Sequence, residues 1–305
     1  MLSHIKLFVE NSVRRREREA LPGASDAWQL GTSLSAYLRQ LDEHELRHLR
    51  RHTFHFTGDN YQRYLFGNVA DRDLIVEQMN AVFARLPGFI LDEGEYGIGY
   101  ETELGRISFD LIRYLSVLAD LVDSGALNRA DRKPLLEIGG GYGGLARTIL
   151  AFAPSCSYVI CDLEEMLFCS AVYLTNMHGP ERIHLVENGI DAVALEPGHF
   201  YLVPQINLER LHGKFSLVIN QQSMQEMEQG QVERYCDFMK ENASQFYSRN
   251  LSSLDSLTPF LSHFKLVRTL NEYFKQRFPV IWVGSEQTAG VGDANLERLL
   301  LRCGP

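Results

Sequence analysis

The chain has 305 residues, of which 45% are apolar, enough to bury the core of one large domain or of a main domain with a smaller companion. Its 30 Lys and Arg stand against 39 Asp and Glu, and the resulting charge of -9 argues against a general electrostatic affinity for nucleic acid or anionic membrane. Five cysteines, odd in number and without a CxxC, argue against a disulfide framework and a structural zinc, while the absence of a secretion signal or a bilayer-long apolar run makes a cytoplasmic location the expectation.

Residues 1–128 read as a helical region that supplies a substrate surface, a lid or a dimer contact. Along 73–86 ("DLIVEQMNAVFARL") and 109–125 ("FDLIRYLSVLADLVDSG") apolar residues recur at three- and four-residue spacing, and Gly125 is a helix stop. His44, His48 and His52 share a four-residue spacing among Arg47, Arg50 and Arg51, a pattern read as a solvated basic helix face, so no metal is assigned. The glycine-rich, acidic stretch 92–105, with Tyr96, Tyr100 and Glu101, is either a lid over a ligand or a connector.

From residue 129 the texture changes. Short apolar strands are expected at 135–138, 157–161, 183–186, 199–203, 215–219, 245–249, 264–269 and 279–283, with helices at 143–152, 164–177 and 230–243. Strand and helix in alternation predict an α/β fold with a mostly parallel sheet covered on both faces, and a ligand at the carboxyl ends of its strands. The segment 129–305 is therefore the expected ligand-binding domain.

Its first strand runs into "LLEIGGGYGGLARTIL". Glycines there let the backbone approach a ligand without an intervening Cβ, and Gly139, Gly141 and Gly144 formally satisfy G-x-G-x-x-G, so a dinucleotide is one candidate. Glu137, just before the turn, separates the candidates: a carboxylate at the turn's mouth repels a pyrophosphate and attracts a sulfonium or an ammonium. Asp162 ends the second strand, as a ribose-binding acid or as the N-cap of the next helix.

The strand–Glu–apolar–Gly pattern with "YVICDLEEM" resembles the class I S-adenosylmethionine-dependent methyltransferases. The segments "ICDLEEMLFCSAVYLTNMHG", "FSLVINQQSMQEM" and "QFYSRN" are similar to the bacterial sugar O-methyltransferase family, with Glu164 standing where that family has proline. The resemblance implies a Rossmann-like class I methyltransferase sheet of about seven strands preceded by a helical N-terminal domain. It further implies S-adenosyl-L-methionine as cofactor, held by Glu137, Gly139, Gly141, Tyr142, Gly143, Asp162, Leu163, Gln205 and Asn220, with Tyr142 beside the cofactor or merely exposed in the turn. A small-molecule acceptor, a sugar or sugar nucleotide, would meet Ser223, Tyr100 and Asn250. Glu226 is the first candidate for the general base, or else a substrate-binding carboxylate, and His178 and His263 are its rivals. A methyltransferase with a different small-molecule acceptor, a nicotinamide dehydrogenase and a non-catalytic cofactor-binding protein are the alternatives.

Overall fold

The computed structural model describes residues 1–18, 36–53, 59–67, 69–251, 270–284 and 296–304. The amino-terminal part comprises α1 (Leu2–Arg18), α2 (Glu43–Arg47) with a 3-10 turn at Leu49–His52, α3 (Tyr61–Phe66), α4 (Val69–Ala84), a hairpin of β1 (Tyr100–Thr102) and β2 (Gly105–Ile107), and α5 (Phe109–Asp123). There follow β3 (Pro134–Ile138), α6 (Gly144–Phe152), β4 (Ser157–Asp162), α7 (Glu164–His178), β5 (Ile183–Leu185), β6 (Ile190–Asp191) and β7 (Phe200–Pro204). The remainder is β8 (Leu211–His212), β9 (Phe215–Gln221), α8 (Gln229–Asn242), β10 (Ala243–Leu251), α9 (Leu270–Arg277), β11 (Val280–Val283) and β12 (Leu296–Arg302).

Eight of these strands form one sheet in the order β11-β12-β10-β9-β3-β4-β7-β5. The pairs from β10 through to β5 are parallel, whereas β12 runs antiparallel to both β10 and β11. The chain thus winds outward from β3 and β4 to β5 at the edge, inserts β7 between β4 and β5, then returns to the other side of β3 with β9. That reversal opens a crevice at the carboxyl ends of β3, β4 and β9, where parallel sheets of this kind take their ligands.

Both faces of the sheet are covered, which is why its central strands are apolar without interruption. Leu135, Ile160, Ile219 and Tyr247 point to the face beneath α5, α6 and α7, and Phe8 of α1 and Leu115 of α5 belong to the same core. Leu136, Val159, Val218 and Phe246 point the opposite way and pack with Met239 of α8 and Phe274 of α9. The amino-terminal helices therefore share a core with the sheet. Helix starts are fixed by side-chain caps: Ser108 Oγ accepts from Leu111 N at 2.9 Å to begin α5, and Asp42 and Glu45 form a capping box on α2, a device worth about 1 kcal/mol each.

The expected strand–helix alternation between 135 and 251 is found, with β4 extended to Asp162 and β10 to Leu251. The strand expected at 264–269 lies outside the described residues. Two elements contradict the sequence-based picture of the amino-terminal part. Stretch 92–105 contains β1 and the start of β2, held where Arg106 donates to the carbonyls of Gly94, Glu95 and Gly97 and where Glu93 N donates to Arg106 O at 2.8 Å, rather than being a stretch without regular structure. The basic run 44–52 is a short helix followed by a 3-10 turn, and Arg50 within it is buried. Among the described residues, no helix is long and apolar enough to cross a membrane.

Candidate functional site

The turn between β3 and α6 is built from glycines because its backbone demands them: Gly139, Gly141 and Gly143 have φ of 75°, 57° and 89°, in the left-handed region that costs a side chain. Their amides are spent within the protein. Gly139 N donates to Cys161 O, Gly143 N to Gly140 O, and Gly141 N to Asp162 Oδ2, each at 2.9 Å. The other oxygen of Asp162 accepts from Leu163 N at 2.7 Å. Asp162 therefore joins the glycine turn to the start of α7, and each oxygen retains a second lone pair at the carboxyl edge of the sheet. Burial raises its pKa to about 7, the two amides pull it down, and Glu164 and Glu165 raise it again.

Close packing over Gly139 leaves no room for a side chain. A Cβ built there falls 2.0 Å from Ser223 Oγ, so Gly139→Ala combines a steric clash with a strained backbone. The strain alone costs about 1–3 kcal/mol. The expected result is a lower midpoint in chemical unfolding, and adding Ser223→Gly should restore at most part of it, because it relieves the clash but removes the hydroxyl that bonds Asn220 and Ile138 O.

Glu137 is not placed as the sequence suggests. Its carboxyl lies under the turn, between sheet and helix, where Tyr158 Oη donates to Oε2 at 3.1 Å and a Cβ on Gly140 would come within 3.1 Å of the same oxygen. With the residue only 3% exposed, burial pushes the pKa up to about 8, against the pull of the Tyr158 hydroxyl. A bare charge at the mouth of the turn is thus replaced by a carboxyl in its floor.

Tyr142 is buried, so it is not the exposed turn tyrosine of the sequence-based alternative. Its ring is packed edge-on against Tyr173 at 4.8 Å and carries the Arg50 guanidinium 4.2 Å above its centroid. Arg50 is paired with Asp110 at 2.9 Å, has Glu93 at 3.5 Å and Asp59 at 3.8 Å, and donates to Thr53 Oγ1. Burial alone would lower the Arg50 pKa, but the phenols and carboxylates around it hold it well above the ordinary value. Asp59, buried and facing Asp110, is pushed up to about 6 while accepting from the Tyr64 hydroxyl. This network ties three separate stretches of the amino-terminal part to the underside of the glycine turn. The run "RHLRRH" gave no sign of it; Asp110 and Arg113, paired three residues apart on α5, were the available hint.

At the ends of β9 and β10 the polar residues divide by face. Asn220 donates to Ile138 O at 2.8 Å and to Ser223 Oγ, and accepts from Met224 N at 3.2 Å and Asn250 Nδ2 at 2.9 Å. Asn250 also donates to Ser248 Oγ at 2.9 Å. Asn220, Ser223 and Asn250 thus form a buried clasp between β3, β9 and β10. On the other face Gln221, in the amide orientation that satisfies it, accepts from Arg249 Nη1 at 2.7 Å and Arg113 Nε at 3.2 Å. Gln222 has φ of 56°, the single positive value outside glycine among the described residues, and strain of this kind gathers at functional sites. Glu226 follows at the end of a 3-10 turn, its amide donating to Ser223 O at 3.0 Å.

The sequence-predicted residues separate into those at the crevice and those elsewhere. Gly139, Gly141, Gly143, Asp162 and Leu163 form the turn and its flank, and Gln205, just past β7, accepts from Gln231 Nε2 at the same sheet edge. His178 does not join them: it ends α7 with its ring 5.0 Å from that of Phe200, the first residue of β7, at the amino edge of the sheet. Burial lowers its pKa to about 4, with Arg147 and Arg182 adding to the effect. Tyr100 sits on the β1–β2 hairpin and donates to Arg63 O at 3.1 Å, away from the glycine turn. His263 lies outside the described residues.

No protein-family model matches the sequence, and no curated protein sequence matches it. Similar solved structures include the pyocyanin biosynthetic protein PhzM (13% identity, TM-score 0.41, 61% of this chain and 57% of that one). The mitomycin 7-O-methyltransferase MmcR is another (11% identity, TM-score 0.41, 63% and 56%). A third is an O-methyltransferase family 2 protein from Planctomyces limnophilus in complex with apigenin (13% identity, TM-score 0.41, 73% and 65%). The chain spans less than two thirds of each of these proteins.

Proposed function

We propose that the chain is an S-adenosylmethionine-dependent O-methyltransferase acting on a small-molecule hydroxyl. The observation that carries this reading is Asp162: a carboxylate at the end of β4, beside the glycine turn that follows β3, anchored by Gly141 N and Leu163 N and one strand from where the sheet's winding reverses. Its remaining lone pairs suit the two hydroxyls of a ribose. A dinucleotide fits less well, because three amides of the turn are already bound to protein acceptors and are not free to cradle a pyrophosphate.

On this reading Gly139, Gly141, Asp162 and Leu163 hold the donor, and the carboxyl of Glu137 forms the floor beneath it. S-adenosylmethionine, when bound, supplies a methyl group on a sulfonium. The protein's part is to align an acceptor hydroxyl with it, a contribution that reaches about 7–11 kcal/mol in favourable cases, and to take the hydroxyl proton. Glu226, after the strained Gln222 at the end of β9, is the residue we assign to the proton, a role worth ~10²–10⁴-fold in rate. A sugar is the acceptor supported by the sequence resemblance, and Gln221 and Gln222 at the same strand end supply amides that can bind its other hydroxyls.

The test is a thermal melt with S-adenosylhomocysteine and with NADH in parallel, followed by transfer of labelled methyl to sugars and nucleotide sugars. S-adenosylhomocysteine is expected to raise the melting temperature and NADH to leave it unchanged. Stabilisation by NADH alone would overturn the reading.

A further inference from the structure

Three acids stand within four residues at the start of α7: Asp162, Glu164 and Glu165. All are buried, with side chains of Glu164 and Glu165 only 0% and 8% exposed. Three buried like charges at such spacing raise one another's affinity for protons and cannot all stay ionised unaided. The cation that meets them comes from the opposite end of the chain. Arg16, near the end of α1, grips Glu165 with both forks, Nη1 to Oε2 at 3.0 Å and Nη2 to Oε1 at 2.8 Å, and Nη1 also reaches Glu164 Oε2 at 2.5 Å. Its neighbour Arg15 donates to Asn207 Oδ1 at 3.0 Å, just past β7. The end of α1 therefore spans the carboxyl ends of β4 and β7, over the flank of the crevice where Asp162 lies.

We propose that Arg16 is a positioning residue of the donor site: by gripping Glu164 and Glu165 it neutralises the charges beside Asp162 and fixes the start of α7, leaving the Asp162 carboxylate ionised for the donor's ribose hydroxyls. The inference rests on the donor reading above. It assigns to the first helix a role in cofactor affinity that nothing in the glycine motif contains.

The groups facing Asp162 are few. Glu137 lies on β3, Cys161 precedes it on β4, Glu164, Glu165 and Cys169 belong to α7, and Tyr235 comes from α8. Burial keeps the two thiols and the phenol neutral across the working range, so only the acids vary in charge. Glu164 titrates at about 7, raised by burial and lowered by Arg16, beside Asp162 at about 7. Without Arg16, Asp162 and Glu164 titrate together at higher pH, with the Glu165 carboxylate beside them no longer gripped.

The experiment is calorimetric titration of the full chain with S-adenosylhomocysteine from pH 6 to 9. For the unsubstituted protein, affinity is expected to fall as pH drops through about 7. Arg16→Gln is expected to bind about fivefold more weakly at pH 7, with the midpoint moved about one unit alkaline and affinity recovered at pH 9. Arg16→Lys retains the charge without the fork and should keep the midpoint. A purely structural brace would weaken binding equally at every pH, and that result, or an unchanged profile, overturns the proposal. Should Arg16→Gln fail to fold, Glu165→Gln tests the same coupling: removing one carboxylate should carry the midpoint acidward, and an unmoved midpoint overturns the proposal. Absence of any binding by the unsubstituted protein would instead overturn the donor reading.

Discussion

Asp162→Asn is expected to weaken S-adenosylhomocysteine binding by about two orders of magnitude. The substitution keeps the shape of the side chain but replaces one oxygen by an NH₂ group. That group must then face either Gly141 N or Leu163 N, both donors bound to carboxylate oxygens at present. The turn loses one anchor, and the ribose loses a charged acceptor. Hydrogen bonds to charged groups contribute about 1.5–3 kcal/mol each, so losing the equivalent of one to two of them corresponds to about 100-fold in affinity. Calorimetry gives the answer directly. On the proposed donor reading the variant should also lose the fall in affinity below about pH 7 that is expected of the unsubstituted protein. An affinity within threefold of the original would remove Asp162 from the ligand site.

Arg50→Ala is expected to be the most damaging change to stability. It leaves Asp59, Glu93 and Asp110 in the interior with Arg113 as the remaining cation named beside them, and it opens a void above Tyr142. Removing one partner of a buried ion pair costs about 3–5 kcal/mol, because the charge left behind is desolvated without compensation. The loss should shrink on acidification. Asp59 already has a raised pKa of about 6 in the folded chain, so an acid of this kind opposes folding when ionised and ceases to do so as pH falls through that value. Urea unfolding at pH 7.5 and at pH 6 therefore should show a smaller deficit at the lower pH. A deficit under 1 kcal/mol at both would mean that the network relaxes around the gap.

The part of the fold that sequence patterning captures is the part in which neighbours in sequence are neighbours in space. The segments 135–138, 157–161 and 215–219 are short apolar runs bounded by turn residues, and they became β3, β4 and β9. The strand β12 went unread because "LERLLLR" pairs its middle on both sides and packs on both faces, so it has no alternation to betray it. The expected crevice was legible through its glycines and Asp162, all within one strand–turn–strand unit. Its supports were not. Arg50 is buried because residues 59, 93 and 110 converge on it, and Arg16 reaches Glu164 across 148 positions; no local pattern records either meeting. The burial of Tyr142 and the packing of His178 on Phe200 were not legible for the same reason, since the direction of a side chain at the end of an element is set by what packs above it.

The enclosed carboxyl of Glu137 has a consequence for how charge is handled beneath the turn. At neutral pH it retains its hydrogen, so it sets no standing negative field beneath the turn. On the proposed donor reading, a positively charged ligand lodged above Gly140 would favour the ionised form, its arrival matched by a hydrogen ion leaving for solvent. On that reading, charge under the turn is balanced by exchange with solvent.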